Sequence, residues 1–275
     1  MAAQRSRSTV RTPGTSRTGL LLRSLLFALG LVVSTLIFAP LSLLTFPLPY
    51  LARYRFITGW TRFNLWWLGR TCRLHHRFEG LENVPPRPAI VFSRHESAWE
   101  TMALQYVFSP QVWVLKRELL WIPFFGWGLA MLRPIAIDRR SRRRAIEQIV
   151  EIGGRRLQEG CWVVVFPEGT RVAPGKKRRY RIGGAVLAEK SGAPVVPVAH
   201  DAGDFWPRRS FIKHPGTIRV VIGPPIQSTG RSAAEINSLA EHWIGTTMAR
   251  LRAGNAPPAG EEDTRPLPAE RAGGG

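Results

Sequence analysis

From Ser24 to Ala52 the chain carries no charged residue, and this is its longest apolar run. Pro40, Pro47 and Pro49 interrupt it. A proline inside a helix removes a backbone donor and clashes with the preceding turn, so the pattern predicts a helix over 24–39. That helix would be about 24 Å long, short of a roughly 30 Å hydrocarbon core. Arg11, Arg17 and Arg23 precede the run, and Arg53, Arg55 and Arg62 follow it. A simple span prefers its basic residues on one side; basic flanks at both ends suit a helical hairpin or re-entrant segment, with a single span as the alternative. The run is too long for a signal peptide and no small-residue cleavage site follows it. Residues 54–78 interleave Phe56, Trp60, Phe63, Trp66 and Trp67 with Arg62, Arg70, Arg73 and Arg77. This mixture reads as a helix lying at headgroup level, or as one packing its aromatic face on the domain.

Beyond a Pro- and Gly-punctuated loop at 79–86, the period alternates between strand and helix. Apolar runs at 89–92, 112–115, 134–137, 162–166, 195–199 and 218–222 read as strands. Segments 99–108, 124–132, 141–158, 183–191 and 232–251 read as helices. The last opens on Ser232 with Glu235 three residues on, a capping-box pattern. Such alternation predicts an α/β fold, a central mixed sheet flanked by helices, behind an N-terminal hydrophobic membrane-anchoring helical segment. The expected organisation is a disordered basic N-terminus at 1–18, anchor and interfacial helix at 19–79, a catalytic-sized domain at 80–252 and a disordered tail at 253–275.

Charge narrows the partners. Thirty-nine Lys and Arg against nineteen Asp and Glu give a formal net charge of +20. Anionic lipid surfaces, phosphorylated substrates and nucleic acid are the classes that such a charge attracts. No nucleic-acid reading motif accompanies the runs Arg139–Arg144 and Lys176–Arg179, so beside an apolar anchor they point to anionic lipid, CoA phosphates or an acidic carrier protein. Only two cysteines occur, Cys72 and Cys161, which excludes a disulfide framework. Cys72, His75 and His76 have no paired ligand cluster elsewhere, so no metal site is expected.

The candidate chemistry lies where two predicted strands end, the usual place for ligand contacts in an open α/β sheet. After 89–92 come Ser93-Arg94-His95-Glu96-Ser97-Ala98-Trp99-Glu100; after 162–166 come Pro167-Glu168-Gly169-Thr170-Arg171. An imidazole titrates near neutral pH and acts as a general base, better when a carboxylate fixes its tautomer. Glu100 reaches His95 if the histidine stands in the loop and the glutamate in the first helical turn. Glu96 is the rival partner, but adjacent side chains diverge.

Four blocks in order carry a resemblance: 93–100; Lys116-Arg117-Glu118-Leu119 with Pro123, Gly126 and Arg133; Phe166 to Arg171; and Val195-Val196-Pro197-Val198. Over roughly 89–225 the sequence resembles the glycerolipid acyltransferases, in particular the bacterial 1-acyl-sn-glycerol-3-phosphate acyltransferases of the PlsC type. It departs from their pattern at position 100, where Glu replaces the usual Asp. The resemblance implies a membrane-bound enzyme that moves a fatty acyl group from acyl-CoA or acyl-carrier protein to the sn-2 hydroxyl of lysophosphatidate, giving phosphatidate. It implies His95 as base, Glu100 as its orienting partner, and Arg171, with Lys116, as phosphate ligands. Arg133, Glu168, Gly169 and Thr170 would complete the substrate site. Val195–Val198 would be a buried supporting strand. No cofactor, metal or nucleic acid is implied; the expected surroundings are anionic lipids of the bacterial inner membrane, with the catalytic domain on the cytoplasmic side. Another lysolipid acceptor, or a non-catalytic membrane-surface binding protein of the same fold, are the alternatives.

Overall fold

Seven strands form one sheet in the order β1-β7-β6-β2-β5-β3-β4. They are β1 (Leu74–Glu79), β2 (Ile90–Ser93), β3 (Gln111–Lys116), β4 (Ile135–Ile137), β5 (Trp162–Val165), β6 (Val195–His200) and β7 (Gly216–Ile222). The β6–β7 pair is antiparallel and every other pair is parallel, so the sheet is mixed as expected. The computed structural model describes residues 16–138 and 140–254; of the tails expected at 1–18 and 253–275, residues 1–15 and 255–275 lie outside the described residues.

Central strands β2, β5 and β6 are buried on both faces, as their unbroken Val/Ile-rich sequences require. Alternation then divides the core. Val91, Val164 and Val196 face one hydrophobic cluster, while Ile90, Phe92 and Val163 face another. The first is covered by α1 (Arg17–Leu44), α2 (Tyr50–Cys72), α3 (Trp99–Ala103), α4 (Phe125–Met131) and α7 (Ala202–Phe205). The second is covered by α5 (Arg142–Gln158), α6 (Gly183–Ser191) and α8 (Ala233–Ala253). Ser232 caps α8 in a full capping box with Glu235, as its sequence predicts.

Three expectations need correction. First, α1 does not stop at Ala39: it runs through Pro40 to Leu44, 28 residues or about 42 Å. A proline forfeits one backbone hydrogen bond, but this helix is held along its length by α2 and α4. Gly30 lets the Trp67 indole lie against the α1 backbone, where its Nε1 donates to the Leu26 carbonyl at 3.0 Å; an added Cβ would sit 2.1 Å from that nitrogen. The buried Asn64 donates to Ser34 Oγ at 3.1 Å. Secondly, Ser16 caps α1, so the helix begins inside the stretch read as an N-terminal tail. Thirdly, the helix read over 54–78 ends at Cys72. Arg73 turns left-handed (φ 53°), and 74–79 forms edge strand β1, paired parallel to β7 from Leu74↔Gly216 to Glu79↔Val221. Leu74, His76 and Phe78 alternate with exposed neighbours, a strand period masked by the arginines and aromatics running into it.

Candidate active site

Strand β2 ends at Ser93 and delivers Arg94–Ala98 as a loop at the carboxyl edge of the sheet; α3 begins at Trp99. This places His95 in the loop and Glu100 in the first helical turn. His95 Nδ1 lies 2.7 Å from Glu100 Oε1. The same oxygen accepts from the backbone N–H groups of Glu96 at 3.0 Å and Ser97 at 2.9 Å. Glu100 is fully buried, and an acceptor with these neighbours holds the proton on Nδ1 and leaves Nε2 a free lone pair. Burial pushes the Glu100 pKa up, but the hydrogen bond from His95 and the nearby charges outweigh it, so the carboxyl titrates below its usual range. Burial pulls the His95 pKa below its ordinary value against the opposing pull of Glu100. The imidazole is therefore neutral at pH 7, the state a general base needs. Its ring stacks on Phe166, centroids 4.1 Å apart.

Glu96 turns away, as expected for an adjacent side chain. It is fully buried and accepts at Oε1 from Arg94 Nε at 3.0 Å and from Arg252 of α8 at 2.6 Å. Arg94 Nη1 donates to Glu168 Oε1 at 3.0 Å, and its Nη2 to the Lys176 carbonyl at 2.7 Å. One guanidinium thus ties the histidine loop to the Glu168 loop. Burial alone would lower the Arg94 pKa, but Glu168 and Glu96 more than offset it. Burial raises the Glu168 carboxyl to about 7 against the pull of Arg94. The Val172 N–H donates to the His95 carbonyl at 2.7 Å, a second tie between the loops. Beneath them His200 accepts from the Ala202 N–H at Nδ1, so its Nε2 donates to the Arg94 carbonyl at 2.7 Å. Asp201 accepts from the Arg219 backbone and guanidinium.

His95, Phe166, Gly169 and Arg171 stand at one end of a cavity of about 610 Å³. Its walls are aliphatic and aromatic, drawn from α1 (Leu31, Leu36), α2 (Trp60), β3 (Trp113, Leu115) and the 119–129 segment. The volume suits a lipid-sized ligand. The segments at 111–115 and 119–128, Trp- and Phe-rich in sequence, therefore do line a cavity, as does Trp206. The Arg171 guanidinium makes no hydrogen bond or ion pair among the described residues. Gly169 takes a left-handed φ of 69°, and a Cβ there would meet the Arg181 guanidinium at 2.5 Å. Thr170 is half-buried beside it. Lys116 and Arg133 are not among the lining residues: Lys116 pairs with Glu118 at 3.2 Å, and Arg133 with Glu159 at 3.1 Å while its guanidinium covers the Tyr50 ring. Sequence reasoning did not find the Arg94–Glu96–Arg252 linkage; its partners lie 156 residues apart, and no local pattern joins them.

A buried carboxylate hydrogen-bonded to a histidine stands beside a lipid-sized apolar cavity, and residues 75–201 match the family model described as Acyltransferase. The chain is 45% identical over 235 residues to the 1-acyl-sn-glycerol-3-phosphate acyltransferase of Pseudomonas aeruginosa, covering 84% of this chain and 91% of that protein. It is 30% identical over 166 residues to the mouse 1-acyl-sn-glycerol-3-phosphate acyltransferase alpha, covering 59% of this chain and 58% of that protein. The fold matches the crystal structure of the 1-acyl-sn-glycerophosphate acyltransferase PlsC from Thermotoga maritima with a TM-score of 0.72 at 24% identity, over 86% of this chain and 98% of that one. The chain belongs to the 1-acyl-sn-glycerol-3-phosphate acyltransferase family and is an enzyme of that family.

Proposed function

We propose that the protein acylates the free sn-2 hydroxyl of lysophosphatidate from an acyl thioester, on acyl-CoA or acyl-carrier protein, giving phosphatidate. The observation that supports this most is the 2.7 Å His95–Glu100 contact at the end of an apolar cavity that also holds the unpaired Arg171. His95 Nε2 takes the proton of the acceptor hydroxyl as that oxygen attacks the thioester carbonyl. Glu100 stabilises the imidazolium that results, an effect of general-base assistance typically worth about 10²–10⁴ in rate. The tetrahedral adduct collapses by breaking the carbon–sulfur bond, and the imidazolium returns its proton to the departing thiolate. The products are the ester and a free thiol. Arg171 binds the acceptor phosphate, since a guanidinium matches phosphate bidentately. Lys116 joins it by exchanging Glu118 for the phosphate. Glu168, Gly169 and Thr170 shape the loop that carries Arg171. The acyl chain occupies the cavity. Helix α1 exposes Leu22, Leu25, Leu29, Val32 and Val33, and this face seats the protein in the bacterial inner membrane, with the domain on the cytoplasmic side where thioester donors are made.

The test uses purified protein in detergent with labelled oleoyl-CoA and either lysophosphatidate or a phosphate-free monoacylglycerol. Phosphatidate formed only from the phosphorylated acceptor, and lost in His95→Ala, is the expected result. Equal use of both acceptors removes the phosphate role of Arg171, and normal turnover of His95→Ala removes the base.

A further inference from the structure

We propose that the first turn of α5 and the 176–181 segment form the docking face for an acidic carrier protein that presents the acyl thioester; this rests on the acyl-transfer reading above. Arg142, Arg143 and Arg144 are exposed at the start of α5, and Lys176, Lys177, Arg178, Arg179 and Arg181 are exposed before α6. Arg143 is matched by Glu147, and Arg144 lies in the field of Asp138. Arg142, Lys176, Lys177, Arg178 and Arg179 make no ion pair among the described residues. The two segments adjoin: a Cβ on Gly183, at the start of α6, would touch Ile149 and Ile146 of α5.

This face is bolted to the catalytic loop. The Lys176 carbonyl accepts from Arg94, Val172 donates to the His95 carbonyl, and Arg181 lies against Gly169, which lines the cavity. It lies on the other side of the sheet from the layer formed by α1 and α2. The apolar face of α1 and these cations therefore belong to opposite layers, which favours a soluble anionic partner over the bilayer. The cations stand on two separate elements, the first turn of α5 and the segment before α6, rather than on one anion-binding loop. Such a spread matches the acidic surface of a folded protein and gives electrostatic steering. A carrier seated there feeds its flexible phosphopantetheine arm over the 171–181 loop to His95.

The variant Arg142→Glu/Lys177→Glu/Arg178→Glu/Arg179→Glu changes exposed residues outside the proposed catalytic site; the same four changed to Ser separate repulsion from loss. Full-length protein in detergent is titrated with fluorescently labelled holo-carrier protein, at low and high salt. In parallel, kcat/KM is measured with acyl-carrier and acyl-CoA bearing the same chain, and sedimentation is measured with phosphatidylglycerol vesicles. Expected are salt-sensitive carrier binding by the wild type, weakened at least about tenfold in the Glu variant and less in the Ser variant. Activity with acyl-CoA stays within about threefold, and vesicle sedimentation is unchanged. No carrier binding by the wild type, equal losses with both donors, or loss of vesicle binding would each overturn the assignment. Binding is read without turnover, so absence of acyl transfer from either donor counts against the acyl-transfer reading alone.

Discussion

Glu100→Gln separates the two things Glu100 supplies, position and charge. The amide has the same reach. Its oxygen at the Oε1 position accepts from His95 Nδ1 and from the backbone N–H groups of Glu96 and Ser97, while its NH₂ meets only the longer 3.2 Å contact with Ser97 N. Three donors converge on one oxygen, so the orientation that keeps the Nδ1–H tautomer of His95 is the one the site selects. What the variant loses is negative charge opposite an imidazolium that forms only during reaction. Replacing a charge-assisted hydrogen bond by a neutral one forfeits at least about 1 kcal/mol. Coulomb attraction at 2.7 Å sets an upper bound of about 6 kcal/mol at an effective dielectric of 20. We expect about 2–4 kcal/mol in the transition state, a fall of roughly 30- to 1,000-fold in kcat. Glu100→Asp makes the converse change: charge is kept, but the carboxylate retracts by about 1.5 Å and the contact to Nδ1 opens. A stretched pair costs most of a charge-assisted bond, about 1.5–3 kcal/mol, or roughly 10- to 150-fold. Thiol release from acyl-CoA at saturating lysophosphatidate measures all three proteins, with Tm as the check on folding. A Gln variant within threefold of wild type would show that the charge is unused. A loss as deep as that of His95→Ala would show that the tautomer had flipped. An Asp variant faster than wild type would show that the position of Glu100 is a defect.

The pH profile follows from His95. Activity needs the neutral imidazole and burial lowers its pKa, so the acid limb of kcat/KM in the free enzyme should be centred below pH 6.5; a limb centred above 6.5 would contradict the burial assignment. Glu168 gives a stability signature. Its carboxyl is raised from 4.5 to about 7, so the native state keeps a proton that the unfolded chain has released, and its contribution is full below about 4.5 and lost as pH rises through about 7. Glu168→Gln should flatten the dependence of Tm on pH across that window, and an unchanged slope would remove Glu168 as its source. Ser232→Ala removes the capping box of α8 and should cost about 1 kcal/mol, read as a shift of the urea midpoint at constant slope; no shift would mean that the cap is redundant.

The fold was legible in the sequence wherever burial was two-sided or a helix carried its own stop signals. Strands β2, β5 and β6 are unbroken apolar runs, and α8 starts on its capping box, so each was found within two residues of its ends. What escaped was decided by packing between distant segments. Strand β1 has Leu74, His76 and Phe78 on one face, but its other face is basic and continuous with α2; only pairing with β7, some 140 residues on, makes it a strand. Helix α1 continues through Pro40 because α2 and α4 hold it, which local propensity does not record. The site divides in the same way. His95 and Glu100 share one loop and one helical turn, so spacing alone brings them together. The linkage that fixes the loop beneath them, Arg94 with Glu96 and Glu168, and Glu96 with Arg252, joins three segments far apart in the chain. Its consequence bears on the motif itself. Glu168 belongs to the block that contributes Gly169 and Arg171 to the cavity, yet its own side chain is fully buried against Arg94. The Arg94 Nη1–H donates to this carboxyl whether or not it carries a proton, so removing the carboxyl leaves a buried donor without its partner, and Glu168 is fixed by that contact rather than by substrate. A block recognised as one motif therefore contains two kinds of residue: Arg171 open to the cavity, and Glu168 setting where Arg171 stands relative to His95.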